Sequence, residues 1–231
     1  MQLRIRDAAR FPLEGADWPR NLFLGGATGL LLELIFVGLA YLVTEEAAFG
    51  IAPLVVGLNF PAVGYILQVY RGALLSETRA LPEWTSWASL LRSGLVGFAI
   101  GLVYGLIPLL LLMVGLGLFV RGGVLLLVGF VFIVLGVLAG VFVMFFFPMA
   151  LARYLEQRRI EAAFHPGILW GGISLVLAEY VAAYLLSIGG YLLASLVTVI
   201  PYLGGLIWPF LWFYLMLAQA RLFGGICAKA A

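Results

Sequence analysis

Between Arg92 and Arg153 the chain carries one charged side chain, Arg121. Two apolar runs flank it, at about 89–119 and 123–151. Each exceeds the roughly 20 residues that a helix needs to cross hydrocarbon. Neither run alternates as barrel strands do, and a helix satisfies its own backbone groups, as lipid requires. Over all 231 residues, 65% are hydrophobic and 10% charged, against about 25% charged in soluble domains. A globule of 25.1 kDa has too little interior to hide that much apolar surface. The chain reads as an all-α polytopic membrane protein.

Six transmembrane helices are expected, at about 21–44, 51–71, 89–119, 123–151, 168–200 and 206–224. Residues 1–20 form an interfacial amino-terminal arm, 21–224 the transmembrane domain and 225–231 a short cytoplasmic tail. The arm holds four arginines and two prolines without an apolar core, so no cleavable signal peptide is expected. The fifth run is longer than a bilayer needs, which predicts tilt or a bend near Gly189-Gly190. Arginine and lysine set the orientation. Arg4, Arg6, Arg10, Arg20, Arg71, Arg79, Arg92, Arg153, Arg158, Arg159, Arg221 and Lys229 fall on one side, while the opposite turns hold Arg121, Glu45 and Glu46. The positive-inside rule then places both termini in the cytoplasm.

A pattern recurs along the chain. Aligning Trp18, Trp87 and Phe164 superposes Gly25, Gly94 and Gly171, then Glu33, Leu102 and Glu179. The second helix of each pair carries an aromatic–proline step: Phe60-Pro61, Phe147-Pro148 and Trp208-Pro209. Ten residues beyond each proline stand Arg71, Arg158 and Gln219. The pattern points to three helix-hairpin pseudo-repeats facing the same way, unlike the inverted repeats of many transporters.

The polar crossing after the second helix, with Arg71, Leu81, Pro82, Glu83, Trp84 and Trp87 leading to the glycine-bearing helix at Gly94, resembles the membrane family catalogued as domain of unknown function 4013. The stretch ARYLEQRRIEAAFHPGILWGGI is similar to that family's second crossing, and Asp17-Trp18 and the helix from Pro209 to Gly224 also fit. Thr85-Ser86 departs from the pattern, since members often carry acidic residues there. The resemblance implies an uncharacterised multi-pass protein of a prokaryotic plasma membrane; it supports the fold and carries no activity with it.

Candidate chemistry is sparse. Glu33 and Glu179 sit near the middle of predicted spans, where an ionised carboxylate costs roughly 2.5–3.5 kcal/mol. With Asn59 and Gln68 they form a candidate intramembrane polar site, read either as a relay or headgroup cavity or as neutral carboxyls bridging helices. Pro61, Pro108, Pro148 and Pro209 free carbonyls at Gly57, Tyr104, Met144 and Gly205, more often a kink than an ion site. Ser93, Gly97, Gly101, Gly105, Gly136 and Gly140 recur at four-residue spacing, a candidate helix-packing face within the molecule or against another subunit. Arg71, Arg92, Arg153, Arg158 and Arg159 are candidate contacts for anionic lipid. Trp84, Trp87, Trp170, Trp208 and Trp212 read as interfacial anchors.

His165 is the only histidine and Cys227 the only cysteine, so neither a metal site, a cofactor nor a disulfide is expected. A formal charge of +2 gives no reason to expect nucleic acid. Phosphate-binding, nucleophile-elbow and zinc-protease motifs are missing. The leading expectation is a non-catalytic accessory or scaffolding subunit, not an enzyme, packed against the lipid bilayer and against membrane-protein partners or copies of itself. The alternative is a small proton-coupled transporter or lipid-handling protein using Glu33 and Glu179.

Overall fold

A computed structural model describes residues 2–42, 59–76, 81–201 and 203–230. The expected link at Glu45-Glu46, the start of the second span, the Gly57 carbonyl, and Glu77 and Arg79 lie outside the described residues. Within them the chain is all-α: α1 Gln2–Arg10, α2 Trp18–Leu42, α3 Phe60–Leu74, α4 Trp87–Val120, α5 Val124–Gln157, α6 Pro166–Leu175, α7 Leu177–Ser195 and α8 Leu203–Cys227, with single 3-10 turns at Phe11–Leu13, Ile160–Phe164 and Leu196–Val199. No strand occurs among the described residues.

Among the described residues, four elements are long and apolar enough to cross a membrane: Trp87–Val120, Val124–Gln157, Leu177–Val199 and Leu203–Cys227. Leu109, Met113, Val120, Val124, Leu127 and Phe142 stand exposed on the α4–α5 hairpin, apolar surface that water would not tolerate over such an extent. At 34 residues each, α4 and α5 are about 51 Å long, well beyond the roughly 30 Å of a hydrocarbon core. Gly122 and Gly123, at φ 73° and 60°, supply the left-handed backbone that reverses the chain between them.

The core is built around α8, which touches α1, α2, α3, α5 and α7. The helices α3, α5 and α8 contact one another pairwise, while α2 lies on α8, α4 on α3 and α6 on α5. Contacts between α3 and α8 advance together, from Tyr65–Phe213 to Tyr70–Cys227 and Tyr70–Gly224, so these helices run parallel. Those between α2 and α8 run in opposite order, from Gly25 at Phe213 to Glu33 at Gly205. The α3–α4, α4–α5 and α5–α7 pairs are likewise antiparallel, marked by Gly64–Leu90 and Gly94–Phe60, by Gly136–Leu112 and Gly101–Phe147, and by Tyr180–Phe145 and Tyr184–Val141.

The crossing of α3 and α4 is closest. A Cβ on Gly64 would fall on the Leu90 carbonyl, and one on Gly94 on the Phe60 carbonyl. Backbone meets backbone there, which only glycine on both helices permits.

The structure corrects several expectations. The fifth run is not one element bending at Gly189-Gly190: α7 is continuous through both glycines, and the break falls at Val176, φ −124° and ψ 22°. Neither proline nor glycine marks the place. The turn redirects the chain so that Tyr180 and Tyr184 face α5. Pro61 occupies the first turn of α3 behind Asn59, where its missing N–H has no intrahelical acceptor to lose; Pro108, Pro148 and Pro209 do lie inside helices. The last helix runs on to Cys227, past the expected start of the tail. Trp84 is no interfacial anchor but a core residue, 6% exposed.

Candidate functional site

Polar groups collect in three places, the first of them the stretch of α5 around Pro148. Tyr180 Oη donates to the Phe145 carbonyl at 2.8 Å and accepts from the Met149 N–H at 3.2 Å. These are the two groups that an unbroken α-helix would join to each other. One turn along α7, Tyr184 Oη donates to the Val141 carbonyl at 2.9 Å. From the other flank Tyr70 Oη reaches the Pro148 carbonyl at 2.8 Å and lies 3.4 Å from Cys227 Sγ. Proline removes an amide donor and weakens the ladder; hydroxyls from α3 and α7 bond backbone groups on either side of it, at Val141, Phe145, Pro148 and Met149. The same device ties remote segments elsewhere: Tyr104 Oη to the Ala163 carbonyl at 2.6 Å, Tyr65 Oη to Pro82 at 2.7 Å and Tyr214 Oη to Ala9 at 2.5 Å.

The second is a latch on the carboxyl-terminal segment. Lys229 Nζ lies 2.5 and 2.7 Å from the two oxygens of Glu179, and Arg153 Nη2 donates to the Ala230 carbonyl at 2.7 Å. Arg153 also pairs with Glu156 at 2.9 Å. Glu179 therefore stands in the first turn of α7 beside a cation, not alone at mid-span. Glu33 lies on α2, half-buried, its Oε1 about a van der Waals contact from where a Cβ on Gly205 would sit. Gly205 and the Cys227 end of α8 are about 33 Å apart along the helix, so the two acids occupy opposite ends of α8. Asn59 and Gln68, both half-buried on or beside α3, do not bring them together; the Asn59 Oδ1 is buried without a hydrogen-bond partner.

The small-residue face divides. Gly97 meets Leu67 of α3, Gly136 meets Leu112, and Gly101 and Gly140 rest near Phe147 and Pro108 inside the hairpin, while Gly105 faces open space and Ser93 is half-buried. Of the five arginines, Arg92, Arg158 and Arg159 are exposed; Arg153 is engaged in the latch, and Arg71 is half-buried with Nε unpartnered. Arg158 ends α5 in the left-handed conformation at φ 57°. His165 Nδ1 donates to the Glu161 carbonyl at 2.7 Å. Among the described residues no three His, Cys, Asp or Glu side chains converge as a metal site.

The third place was not foreseen. The turn before α2 and the turn before α4 face each other across a cleft of about 330 Å³, lined by Glu14, Asp17, Trp18, Arg20, Asn21, Glu83 and Trp84 among others. Trp84 stacks on Tyr65 with ring centroids 4.4 Å apart, and is flanked by Trp87 and Phe213. The Tyr65–Pro82 hydrogen bond fixes its turn. Its Nε1 is buried without a hydrogen-bond partner. Asp17-Trp18 and Leu81-Pro82-Glu83-Trp84 both stand out in the sequence; what could not be read is that they meet. A second, more open cavity of about 490 Å³ lies by Gln157, Arg159, Glu161 and His165.

A family model described as protein of unknown function, DUF4013, matches residues 47–203. No curated protein and no solved structure matches the chain.

Proposed function

The chain belongs to the DUF4013 family, and from that premise we propose a six-span integral membrane protein with a non-catalytic, accessory role, packed against lipid and other membrane components. To the four long apolar elements this adds α2, 25 residues long, and α3 with the apolar residues that precede it. The alternation of antiparallel contacts supports the count: α2, α4 and α7 run one way, α3, α5 and α8 the other. An even number of passes puts both termini on one side, and the arginine distribution makes that side the cytoplasm. The mutual contact of α3, α5 and α8, each covered by a helix of another hairpin, supports the three pseudo-repeats.

The observation that carries the accessory reading is the placement of the acids. A relay needs exchanging groups within hydrogen-bond reach, directly or through a water. Glu33 and Glu179 lie at opposite ends of α8, and Glu179 is held by Lys229. The buried tyrosine hydroxyls around Pro148 are spent on backbone carbonyls between helices. These features favour structural use of the interior polar groups over a transport path or an active centre. The role implies partners, either other membrane proteins or copies of the chain.

Two measurements test this. Gentle extraction followed by native mass spectrometry should retain partner subunits or lipid; a strictly monomeric, lipid-free particle refutes the role. The Glu33→Gln, Glu179→Gln double variant should keep its oligomeric state and bound lipid. Proton-coupled flux that the wild type shows and this variant loses would install the transporter reading instead.

A further inference from the structure

The α4–α5 hairpin changes character along its length. Between residues 105 and 140 the buried residues are Pro108, Gly115, Gly129 and Gly136, and each has its neighbour on the other helix of the hairpin, at Gly140, Ile133, Phe119 and Leu112. The root differs: Ile100 on α4 and Met149, Ala150 and Ala152 on α5 are almost fully buried in the core. The outer half is an arm on a packed base, about 30 Å long from Met144 to Val124.

The register of the two helices concentrates a weakness at the foot of this arm. Gly101 faces Phe147, Pro108 faces Gly140, Leu112 faces Gly136 and Phe119 faces Gly129, so each step along α4 matches one step back along α5. Tyr104 and Met144, three residues in from the first of these pairs, therefore stand at one level. Theirs are the carbonyls that lose an amide donor to Pro108 and Pro148. A hairpin with one such gap is splinted by its intact partner helix. Here both helices lack a ladder bond and the gaps meet at the same height, where the arm leaves the core.

Tyrosine hydroxyls tie down that level. Tyr104 stacks on Phe164 and donates to the Ala163 carbonyl at 2.6 Å, anchoring α4 up to the gap. From α7, Tyr180 Oη donates to the Phe145 carbonyl on the base side, and Tyr184 Oη to the Val141 carbonyl on the arm side. We propose that residues 105–143 form a movable arm, hinged at the level of Tyr104 and Met144, whose angle α7 sets through the Tyr184–Val141 bond. A swing of about 20°, the size that proline permits in a helix, carries the tip about 10 Å over an arm of this length. It opens or closes the space between α5 and α7. The hinge goes beyond the accessory role and does not rest on it, since it follows from packing and register alone.

The test is double electron–electron resonance on the full chain in lipid nanodiscs, in a Cys227→Ala background. Spin labels at Val124→Cys and Leu203→Cys, both exposed, span the hinge; labels at Ile168→Cys and Leu203→Cys, also exposed, do not. The spanning pair should give a distance distribution broader than the control pair by about 5 Å or more, the tip travel of a 10° swing. Pro108→Ala with Pro148→Ala, which restores both amide donors, should narrow it to the control width. Tyr184→Phe keeps the ring and releases the Val141 carbonyl, so it should lengthen the mean spanning distance by about 5 Å or more. A spanning distribution as narrow as the control overturns the hinge, as does breadth that survives the proline replacements. An unchanged mean in Tyr184→Phe overturns the part assigned to α7. Should the double proline variant not fold, Pro108→Ala alone splints the hairpin and should narrow the distribution; unchanged breadth then overturns the hinge.

Discussion

Gly94→Ala, set beside Gly105→Ala, isolates the role of close helix crossing. Both substitutions add one methyl group to α4, and both should gain helix propensity, up to about 1 kcal/mol. Their surroundings differ. A Cβ at position 94 falls on the Phe60 carbonyl, backbone that has no rotamer with which to escape, whereas at 105 nothing lies within 4 Å. An ordinary carbon–oxygen approach is about 3.3 Å, so α3 and α4 must part by roughly an ångström or more. That movement loosens Leu90, Ile100 and Ala62, each fully buried. Overpacking of this kind costs about 3 kcal/mol, while Gly105→Ala should be neutral or stabilising by up to about 1 kcal/mol. The propensity gains cancel, so the two variants should differ by about 3 kcal/mol, roughly a hundredfold in the unfolding equilibrium. Unfolding by titration into sodium dodecyl sulfate, followed by tryptophan fluorescence, measures it. Stabilities within 1 kcal/mol of each other would refute the crossing and the argument from it.

Other outcomes follow from the polar groups. Tyr180→Phe removes a hydroxyl bonded to Phe145 and Met149, yet those two groups can then bond each other; the loss should be only about 1 kcal/mol, with the Met149 amide still protected in hydrogen exchange. An exposed Met149 amide would contradict this. Glu179→Gln should cost under about 1 kcal/mol, because the pair with Lys229 is more than a third exposed; a larger drop in melting temperature than a few degrees would mean that the latch holds more than the tail. The effects of Glu33→Gln and Glu179→Gln should add within about 0.5 kcal/mol, as distant sites do, and a measurable coupling energy would show the two acids acting as a unit.

The sequence announced class and helices because apolar run length is a local property and the runs between Arg92 and Arg153 are long. Prolines at 108, 148 and 209 were legible for the same reason. What escaped was whatever depends on partners remote in the chain. The break at Val176 has no local signal, since a β-branched residue is unremarkable in an apolar run. Glu179 looked stranded because Lys229 is fifty residues away, and Trp84 looked interfacial because its partners Tyr65 and Phe213 lie on other helices. Four-residue spacing found Gly97 and Gly136, which are packed, and Gly105, which is not; it passed over Gly64 and Gly94, which are pressed against backbone carbonyls. Periodicity shows which residues share a face, not what that face meets.

The central position of α8 bears on how the protein is made. Synthesis delivers α1 to α7 first, yet α1, α2, α3, α5 and α7 all rest on the helix that follows them. Until α8 is made, α2 has no surface for Gly25, Gly26 and Gly29, whose neighbours are Phe213, Phe210 and Pro209, and Glu33 lacks the helix it lies against. The nascent chain is thus a set of loosely held hairpins awaiting a keystone. A ribosome stalled before residue 203 should leave a product that the membrane quality-control proteases can cut, and release past residue 227 should close the bundle in one step.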